Sequence, residues 1–257
     1  MEDLTSRRSL PAAWAEVWGA GPSAPLIYDV GAGPDARWIT AGELDERTRR
    51  AAGVMQGLGL HAGDRLLWST GSSVAAVVAN LAALRAGLVV VPANAAYTAR
   101  ELTHIVTDVR PAAAVVDDPQ RARWVAEAAT TPVVVLSVDL QVLAGQGRGW
   151  ASTPSSESTA SPAGSGDGVG LDASDPADPA LIGYTSGTTG APKGAVLSHG
   201  NLLANSETVA LTWRWQPDDR LVHALPIFHG HGLCVALYTS LLRGSSVVLL
   251  PRFDPDA

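Results

Sequence analysis

The segment of this sequence best suited to chemistry is the eleven-residue run from Tyr184 to Gly194, which reads YTSGTTGAPKG. It contains three glycines, four aliphatic hydroxyls and one lysine. Glycine lets the backbone come close to an anion, while backbone N–H groups and hydroxyls donate hydrogen bonds to phosphate oxygens. Lys193 adds a mobile positive charge. Each hydrogen bond to a charged group contributes about 1.5 to 3 kcal/mol, so this run predicts a loop that binds a polyphosphate.

The spacing of this run differs from that of the common nucleotide loop G-x-x-x-x-G-K-[ST]. Gly187 and Gly190 are too close together, and Gly194 stands where that loop has the hydroxyl that binds magnesium. A kinase or GTPase loop is therefore disfavoured. Residues 194–198 are typical of a strand and a helix is expected to start near Asn201, so the loop should join two strands. On residue types alone, a glycine and threonine hairpin without a ligand remains the alternative.

The run resembles the signature loop of the adenylate-forming superfamily, whose members join a carboxylate to AMP and in most branches pass the acyl group to a thiol. In that family the loop wraps the β and γ phosphates of ATP. The resemblance covers the chain from about residue 38 and includes residues 39–44, which lack the usual aromatic, and residues 82–92. It implies a phosphate-binding role for seven residues: Thr185, Ser186, Gly187, Thr188, Thr189, Gly190 and Lys193.

A second segment, residues 225–233 with the sequence LPIFHGHGL, places glycines around one aromatic and two imidazoles. It resembles the substrate side of acyl-CoA synthetases, where the residue that matches His229 borders the carboxylate and acyl pocket. The Phe-Asp-x-Ser pattern of amino-acid-activating domains is absent from this segment. The resemblance therefore favours an acyl-CoA ligase over a peptide-synthetase module.

The histidines of this segment also allow a zinc site to be considered. On a strand, a two-residue step would put His229 and His231 on one face, and His223 could be a third ligand. Residues 221–250 contain no Asp or Glu, and Gly230 and Gly232 indicate a loop rather than a strand. We therefore predict no metal site here.

Substrate identity is suggested by residues 213–215, 221–226 and 252–253, which are similar to the malonyl-CoA synthetase branch that activates short dicarboxylates. That similarity implies that Arg252 pairs with the distal carboxylate, because a guanidinium binds a carboxylate at two points. A surface arginine after a strand is the alternative role. A fatty acid is the alternative substrate.

The resemblance implies ATP, Mg²⁺ and CoA as the substrates and cofactors of the complete enzyme. The carboxylate attacks the α phosphate to give acyl-AMP and pyrophosphate, and the CoA thiolate then displaces AMP. No segment matches the family's adenine, magnesium and ribose sites or the lysine of its carboxy-terminal domain. We therefore expect the catalytic residues, which stay unknown, in a missing carboxy-terminal portion, and expect the chain alone to be inactive. A nucleotide-binding module without catalysis and an ATP-dependent phosphotransferase are the alternatives.

The elements that position these segments alternate between helix and strand. Helical spacing of apolar residues predicts a helix over 40–60, and Ser72 is expected to cap a second helix that ends near Arg85. Thr98 and Glu101 form a capping box before a third helix. Apolar strands are predicted at 64–68, 88–91, 113–116, 132–136 and 180–184. This order predicts an α/β fold with layered, mostly parallel sheets flanked by helices.

The composition suggests a division of the chain into three parts. Residues 1–146 are expected to form a first α/β subdomain, and residues 147–179 a loop or linker rich in Ser, Gly and Pro. Residues 180–257 are expected to hold the phosphate loop and the start of a truncated acyl-pocket subdomain.

Charge and cysteine content exclude several classes of protein. A net charge of −7 and a pI near 5.3 disfavour nucleic acid as a partner, since a polyanion is bound by clustered cations. Cys234 is the single cysteine of the 257 residues, so no intramolecular disulfide forms. The apolar stretch 74–92 is interrupted by Asn80, Arg85 and Gly87, which argues against a membrane span. With no secretory signal pattern at the amino terminus, we expect a cytoplasmic protein.

Overall fold

The computed structural model describes residues 8–145, 170–185 and 192–254. Its helices are α1 Leu10–Ala20, α2 Ala41–Gly57, α3 Val74–Arg85, α4 Ala99–Val109, α5 Pro119–Ala128, α6 His199–Thr212 and α7 Tyr238–Arg243, with a 3₁₀ segment at Val30–Asp35 and a π-helix at His231–Leu237. Its strands are β1 Pro25–Asp29, β2 Trp38–Thr40, β3 Arg65–Ser69, β4 Val89–Pro92, β5 Ala113–Val116, β6 Val134–Leu136, β7 Val142–Gly145, β8 Pro179–Thr185, β9 Lys193–Ser198, β10 Arg220–His223 and β11 Ser246–Leu249. Within these described ranges, no helix has both the length and the apolar character needed to cross a bilayer.

The larger sheet has seven strands in the order β7-β6-β5-β3-β4-β8-β9. Its central pairs are parallel, and β7 and β9 run antiparallel at the two edges. The sheet has a hydrophobic core on each face, and successive residues of β3 belong to different cores. Leu66 packs with α2 and α3, and Leu67 packs with α4 and α5. Because both of their faces are buried, the central strands β3, β4 and β5 are largely apolar rather than alternating. The predicted α/β fold with mostly parallel sheets flanked by helices is confirmed.

The smaller sheet joins the two ends of the chain, in the order β10-β11-β1-β2. Strand β1 pairs in parallel with β11, with Ile27 opposite Val247, and antiparallel with β2. Both sheets thus contain strands from before and after residues 147–179. The proposed division of the chain at 147–179 stays a prediction.

Hydroxyl side chains cap the starts of helices α3 and α4, and the sequence predicted one of the two cap residues correctly. The predicted capping box at α4 is confirmed, because the Thr98 hydroxyl accepts from the Glu101 N–H and the Glu101 carboxylate accepts from the Thr98 N–H. For α3 the predicted cap is wrong by one position: Ser73 accepts from the Ala76 N–H at 3.1 Å, not Ser72. Two adjacent serines offer the same hydroxyl, and the extended backbone of Ser73 (φ −153°, ψ 160°) selects it.

Helix α6 also begins earlier than expected. Its first residue is His199 and its cap is Ser198, whereas the sequence suggested a start near Asn201. Asn201 instead bonds back to the Ser198 N–H at 3.1 Å and completes a capping box. The helix therefore starts directly at the end of β9.

A buried ion-pair cluster ties the segment before β8 to the first helices. The Arg85 side chain is 1% exposed and donates to the Asp172 carboxylate at 2.9 and 2.7 Å. It also donates to the Asp45 carboxylate at 2.7 Å and to the Thr48 hydroxyl at 2.7 Å. Burial disfavours the charged guanidinium, and the two carboxylates outweigh this cost and keep the pKa of Arg85 above its usual value.

Candidate functional site

The predicted phosphate loop leaves and re-enters the sheet through an antiparallel pair of strands. Thr185, the last residue of β8, lies opposite Lys193, the first residue of β9, and Tyr184 lies opposite Gly194. The expectation of a loop between two strands is confirmed. The other five predicted phosphate-binding residues lie outside the described residues: Ser186, Gly187, Thr188, Thr189 and Gly190.

Strand β9 can pass this close to β8 only because residue 194 is glycine. A Cβ at Gly194 would lie 2.8 Å from Cγ2 of Ile182 and 3.3 Å from the Tyr184 ring. A contact under 3 Å forces neighbouring atoms to move. Gly194 therefore helps to set the pairing that places Thr185 and Lys193 opposite each other.

Helix α4 holds both ends of the loop. The Tyr184 hydroxyl donates to the Asp108 carboxylate, and the His104 ring donates from Nε2 to the Pro192 carbonyl at 3.0 Å. Burial and the Asp108 carboxylate raise the pKa of the Tyr184 phenol well above its usual value, so the hydroxyl stays protonated and able to donate. Sequence reasoning did not single out His104 or Asp108, because both contacts join elements about 80 residues apart.

A cavity of about 340 Å³ lies beside strand β8. It brings together Thr185 of the loop and His229 of the predicted acyl-pocket segment. Its walls come from the end of β4 and the loop after it, from β8, and from the segment before and within the π-helix: Pro92, Asn94, Tyr97, Leu181, Gly183, Tyr184, Thr185, Phe228, His229, Gly230, Leu233 and Cys234. A concave, largely apolar site with a few polar groups is the usual form of a small-molecule pocket.

The two histidines lie at the start of a helix, His229 in the bend that precedes it and His231 as its first residue. Residues His231–Leu237 form a π-helix, and the His231 N–H donates to Nδ1 of His229 at 3.3 Å. Gly232 is packed so closely that a Cβ there would lie 2.4 Å from the Pro226 carbonyl. The two glycines did indicate departure from a strand, but nothing in the sequence pointed to a π-helix.

His223, considered in the sequence as a third zinc ligand, is buried at the end of β10. Its Nε2 lies 2.8 Å from the Gly232 carbonyl, which accepts the ring N–H. Burial is the largest influence on this ring and lowers its pKa, so His223 is neutral at pH 7. In the part of the chain that the structure describes, no three His, Cys, Asp or Glu side chains lie close enough to hold a metal ion.

The remaining wall residue with reactive chemistry is Cys234. Burial raises the pKa of its thiol to about 12, so the sulfur is a neutral thiol at pH 7 and contributes an apolar surface to the cavity. The sequence showed only that Cys234 lies in an apolar run and did not indicate that it would line a cavity.

Arg252, the predicted partner of a distal carboxylate, lies apart from this cavity. It does not belong to the cavity wall, its side chain is 81% exposed, and its guanidinium lies 3.8 Å from the Asp254 carboxylate. The structure thus brings Thr185 and His229 to one cavity and does not bring Arg252 to it. The role of Arg252 stays a prediction.

Comparison with known proteins shows the family to which this chain belongs. The family described as AMP-binding enzyme matches residues 15–257. A feruloyl-CoA synthase from Amycolatopsis sp is 33% identical over 219 residues, which are 85% of this chain and 40% of that protein. The malonate–CoA ligase ACSF3, mitochondrial, of Homo sapiens is 43% identical over 77 residues, 30% of this chain and 13% of that protein.

Solved structures agree with the sequence matches. Apo MatB from Rhodopseudomonas palustris has a TM-score of 0.76 and 37% identity, over 98% of this chain and 46% of that one. The ATP-bound MatB from the same organism has a TM-score of 0.74 at 37% identity, over 96% of this chain and 46% of that one. The chain therefore spans less than half the length of these relatives. The resemblance predicted from the loop is confirmed and extends further toward the amino terminus, and the chain belongs to the AMP-binding enzyme family of adenylate-forming CoA ligases.

Proposed function

We propose that the protein containing this chain is an acyl-CoA synthetase that activates a carboxylic acid with ATP, through acyl-AMP, to its CoA thioester. One observation carries the proposal: strand β8, whose Thr185 lies opposite Lys193 of β9, borders the cavity that also carries His229. A nucleotide phosphate at the loop and an acid in the cavity would then be neighbours. The ATP-bound MatB structure, which shares this fold at 37% identity, supports ATP as the nucleotide.

In this proposal the acid carboxylate attacks the α phosphate of ATP, and pyrophosphate leaves. The CoA thiolate then attacks the acyl carbon, and AMP leaves. Lys193 and the loop donors stabilise the negative charge that develops on the phosphoryl oxygens, and removing one such donor typically costs about 10²- to 10³-fold in rate. Mg²⁺ would accompany ATP and neutralise part of the phosphate charge.

For the acid, we propose a short dicarboxylate such as malonate. The relative named malonate–CoA ligase supports this choice. Arg252 would be the partner of the distal carboxylate in the whole protein, although in this chain its guanidinium lies outside the cavity and 3.8 Å from the Asp254 carboxylate. A fatty acid is the alternative substrate, and the relatives named feruloyl-CoA synthase add aromatic acids to those that need to be tested.

An AMP-release assay of the full-length protein with ATP and CoA tests the function and the substrate together. The acids are malonate, methylmalonate, acetate, a medium and a long fatty acid, and ferulate. We expect AMP and pyrophosphate with malonate as the best acid. Formation of ADP would instead indicate a phosphotransferase, and nucleotide binding without any acid-dependent product would indicate a non-catalytic module.

We further propose that the 257-residue chain needs the remaining carboxy-terminal portion of the protein for activity. The chain covers 46% of the MatB chain, which supports this. The purified chain alone should bind nucleotide weakly and catalyse no ATP–pyrophosphate exchange with any of the acids.

We also propose a cytoplasmic location, which the single cysteine supports. We propose no nucleic acid partner, because the net charge of −7 disfavours binding to a polyanion.

A further inference from the structure

The π-helix His231–Leu237 forms one wall of the cavity and has an unusual hydrogen-bond pattern. Its closing bond runs from the Tyr238 N–H to the Leu233 carbonyl, five residues earlier. π-Helices are rare and occur frequently at functional sites. Their buried carbonyls, like any others, must find donors. The donors used here show what holds the wall in place.

Two side chains from other elements donate to carbonyls of this π-helix. The His223 ring, on β10 and 2% exposed, donates to the Gly232 carbonyl at 2.8 Å. The Asn205 amide, on α6, donates to the Cys234 carbonyl at 3.5 Å. Gly232 and Cys234 are the residues on either side of Leu233, which lines the cavity. The wall is therefore attached from two directions by side chains that do not themselves line the cavity.

The start of the π-helix also packs tightly against the loop that precedes it. At Gly232 the Pro226 carbonyl is so close that a Cβ would lie only 2.4 Å from it. The backbone of Gly232 is thus fixed between the Pro226 carbonyl and the His223 ring. The Gly232 carbonyl also belongs to the hydrogen-bond ladder of the π-helix, so removing the His223 donor would take away its second partner and release one of these two constraints.

We propose that His223 and Asn205 are positioning residues for the acid substrate, holding the π-helix so that His229, Leu233 and Cys234 keep the shape of the cavity wall. This role rests on the proposed function, in which the acid occupies this cavity. The hydrogen bonds of these two side chains go to the π-helix and not to the loop strands, so we expect their loss to act on the acid side of the reaction.

The chain offers a matched control in His199. This histidine is 0% exposed, and neither of its ring nitrogens has a hydrogen-bond partner among the described residues. His223→Leu and His199→Leu make the same chemical change at nearly equal burial. Only the first removes a donor to the π-helix. His223→Gln keeps an amide donor and serves as the conservative variant.

The first experiment is steady-state kinetics of the full-length enzyme with its best acid. A lost hydrogen bond of about 1.4 kcal/mol corresponds to a tenfold change. We expect His223→Leu and Asn205→Leu to raise KM for the acid about tenfold, with kcat and KM for ATP within about twofold. His223→Gln should recover most of the loss and His199→Leu should leave all three constants unchanged. Equal rises in KM for acid and ATP, or no rise, would overturn the positioning role.

The second experiment does not depend on activity and uses Cys234, the only cysteine of the 257-residue chain. A maleimide reagent should label Cys234 slowly in the wild-type chain and in His199→Leu, because the side chain is only partly exposed and burial raises the pKa of its thiol to about 12. Labelling should be at least about tenfold faster in His223→Leu and Asn205→Leu. Unchanged labelling in both variants would overturn the proposal even if the enzyme is active.

The two experiments separate this inference from the proposed function. A full-length protein that turns over no acid, combined with faster Cys234 labelling, would contradict the proposed function and leave the attachment of the π-helix supported. Because His223→Leu could lower stability generally, thermal unfolding is measured for every variant. If the unfolding temperature of His223→Leu is well below that of His199→Leu, the kinetics and labelling of Asn205→Leu, a variant at a half-buried position, decide the test.

Discussion

Replacing one carboxylate of the buried Arg85 cluster should destabilise the chain by about 3 kcal/mol. The substitution is Asp172→Asn. Asp172 has a left-handed backbone with φ of 65°, a conformation that Asn also tolerates. The change therefore removes the charge without adding backbone strain, and it leaves the size of the side chain unchanged.

The magnitude follows from the contacts that are lost. Asp172 accepts two hydrogen bonds from Arg85, at 2.9 and 2.7 Å, and its side chain is 12% exposed. Bonds to charged groups contribute about 1.5 to 3 kcal/mol each, and breaking a buried pair costs about 3 to 5 kcal/mol. Asp45 stays in place to neutralise Arg85, and the new amide oxygen still accepts one bond. The lower end, about 3 kcal/mol, is therefore expected.

The assay is urea unfolding of the 257-residue chain at pH 7, followed by the fluorescence of its eight tryptophans. Arg50→Ala is the matched control, because the Arg50–Glu46 pair is also an ion pair but both side chains are about 70% exposed. Such a surface pair contributes at most about 0.5 kcal/mol. If Asp172→Asn lowers the free energy of unfolding by as little as Arg50→Ala does, the reasoning is refuted, since the Asp172 carboxylate would then not be needed to stabilise the buried charge of Arg85.

Three further outcomes are expected from the same kind of measurement. Hydrogen bonding to Arg37 and to the cap backbone lowers the pKa of Glu43 to about 2, so its stabilising effect is present above about pH 4.5 and is lost as pH falls toward 2. The difference in unfolding free energy between wild type and Glu43→Gln should therefore shrink over that range, and a constant difference would contradict it. Burial lowers the pKa of His199 to about 4, so the unfolded chain binds the extra proton below about pH 6.5. Stability should fall by about 3 kcal/mol from pH 6.5 to pH 4, and His199→Leu should remove that part of the slope. Gly232→Ala should cost about 1 to 3 kcal/mol through overpacking, whereas Gly230→Ala, where a Cβ meets nothing within 4 Å, should cost much less. Similar losses at the two glycines would show that the π-helix shifts to make room.

Local features of the fold could be predicted from the sequence because their signals are local. The capping box of Thr98 and Glu101 depends on four consecutive residues, and the strand over 113–116 on a short apolar run. Where two local signals were equivalent, as for Ser72 and Ser73, the position was wrong by one residue. The pair of strands around the loop was predicted because residues 180–184 before the loop and residues 194–198 after it are typical of strands.

Features that depend on distant residues could not be predicted in this way. Strand β1 pairs with β11 more than 200 residues later, and no periodicity reports such a pairing. The anchoring of the loop by Asp108 and His104, and the donation from His223 to Gly232, depend on which elements become neighbours in space. The π-helix, whose Gly232 carbonyl accepts from the His223 ring, had no local signal in residues 231–237. The cavity that joins Thr185 to His229 needed the structure, although each residue had been singled out separately.

The central claim is that the loop between β8 and β9 binds the phosphates of ATP during activation of an acid. The most direct measurement is acid-dependent ATP–pyrophosphate exchange by the full-length protein with Lys193, Thr188 and Thr189 replaced by alanine, beside Arg50→Ala as a folded control. We expect the exchange rate to fall at least about 100-fold in the triple variant, with little change in the control. An undiminished exchange rate with an unchanged requirement for ATP would contradict the claim.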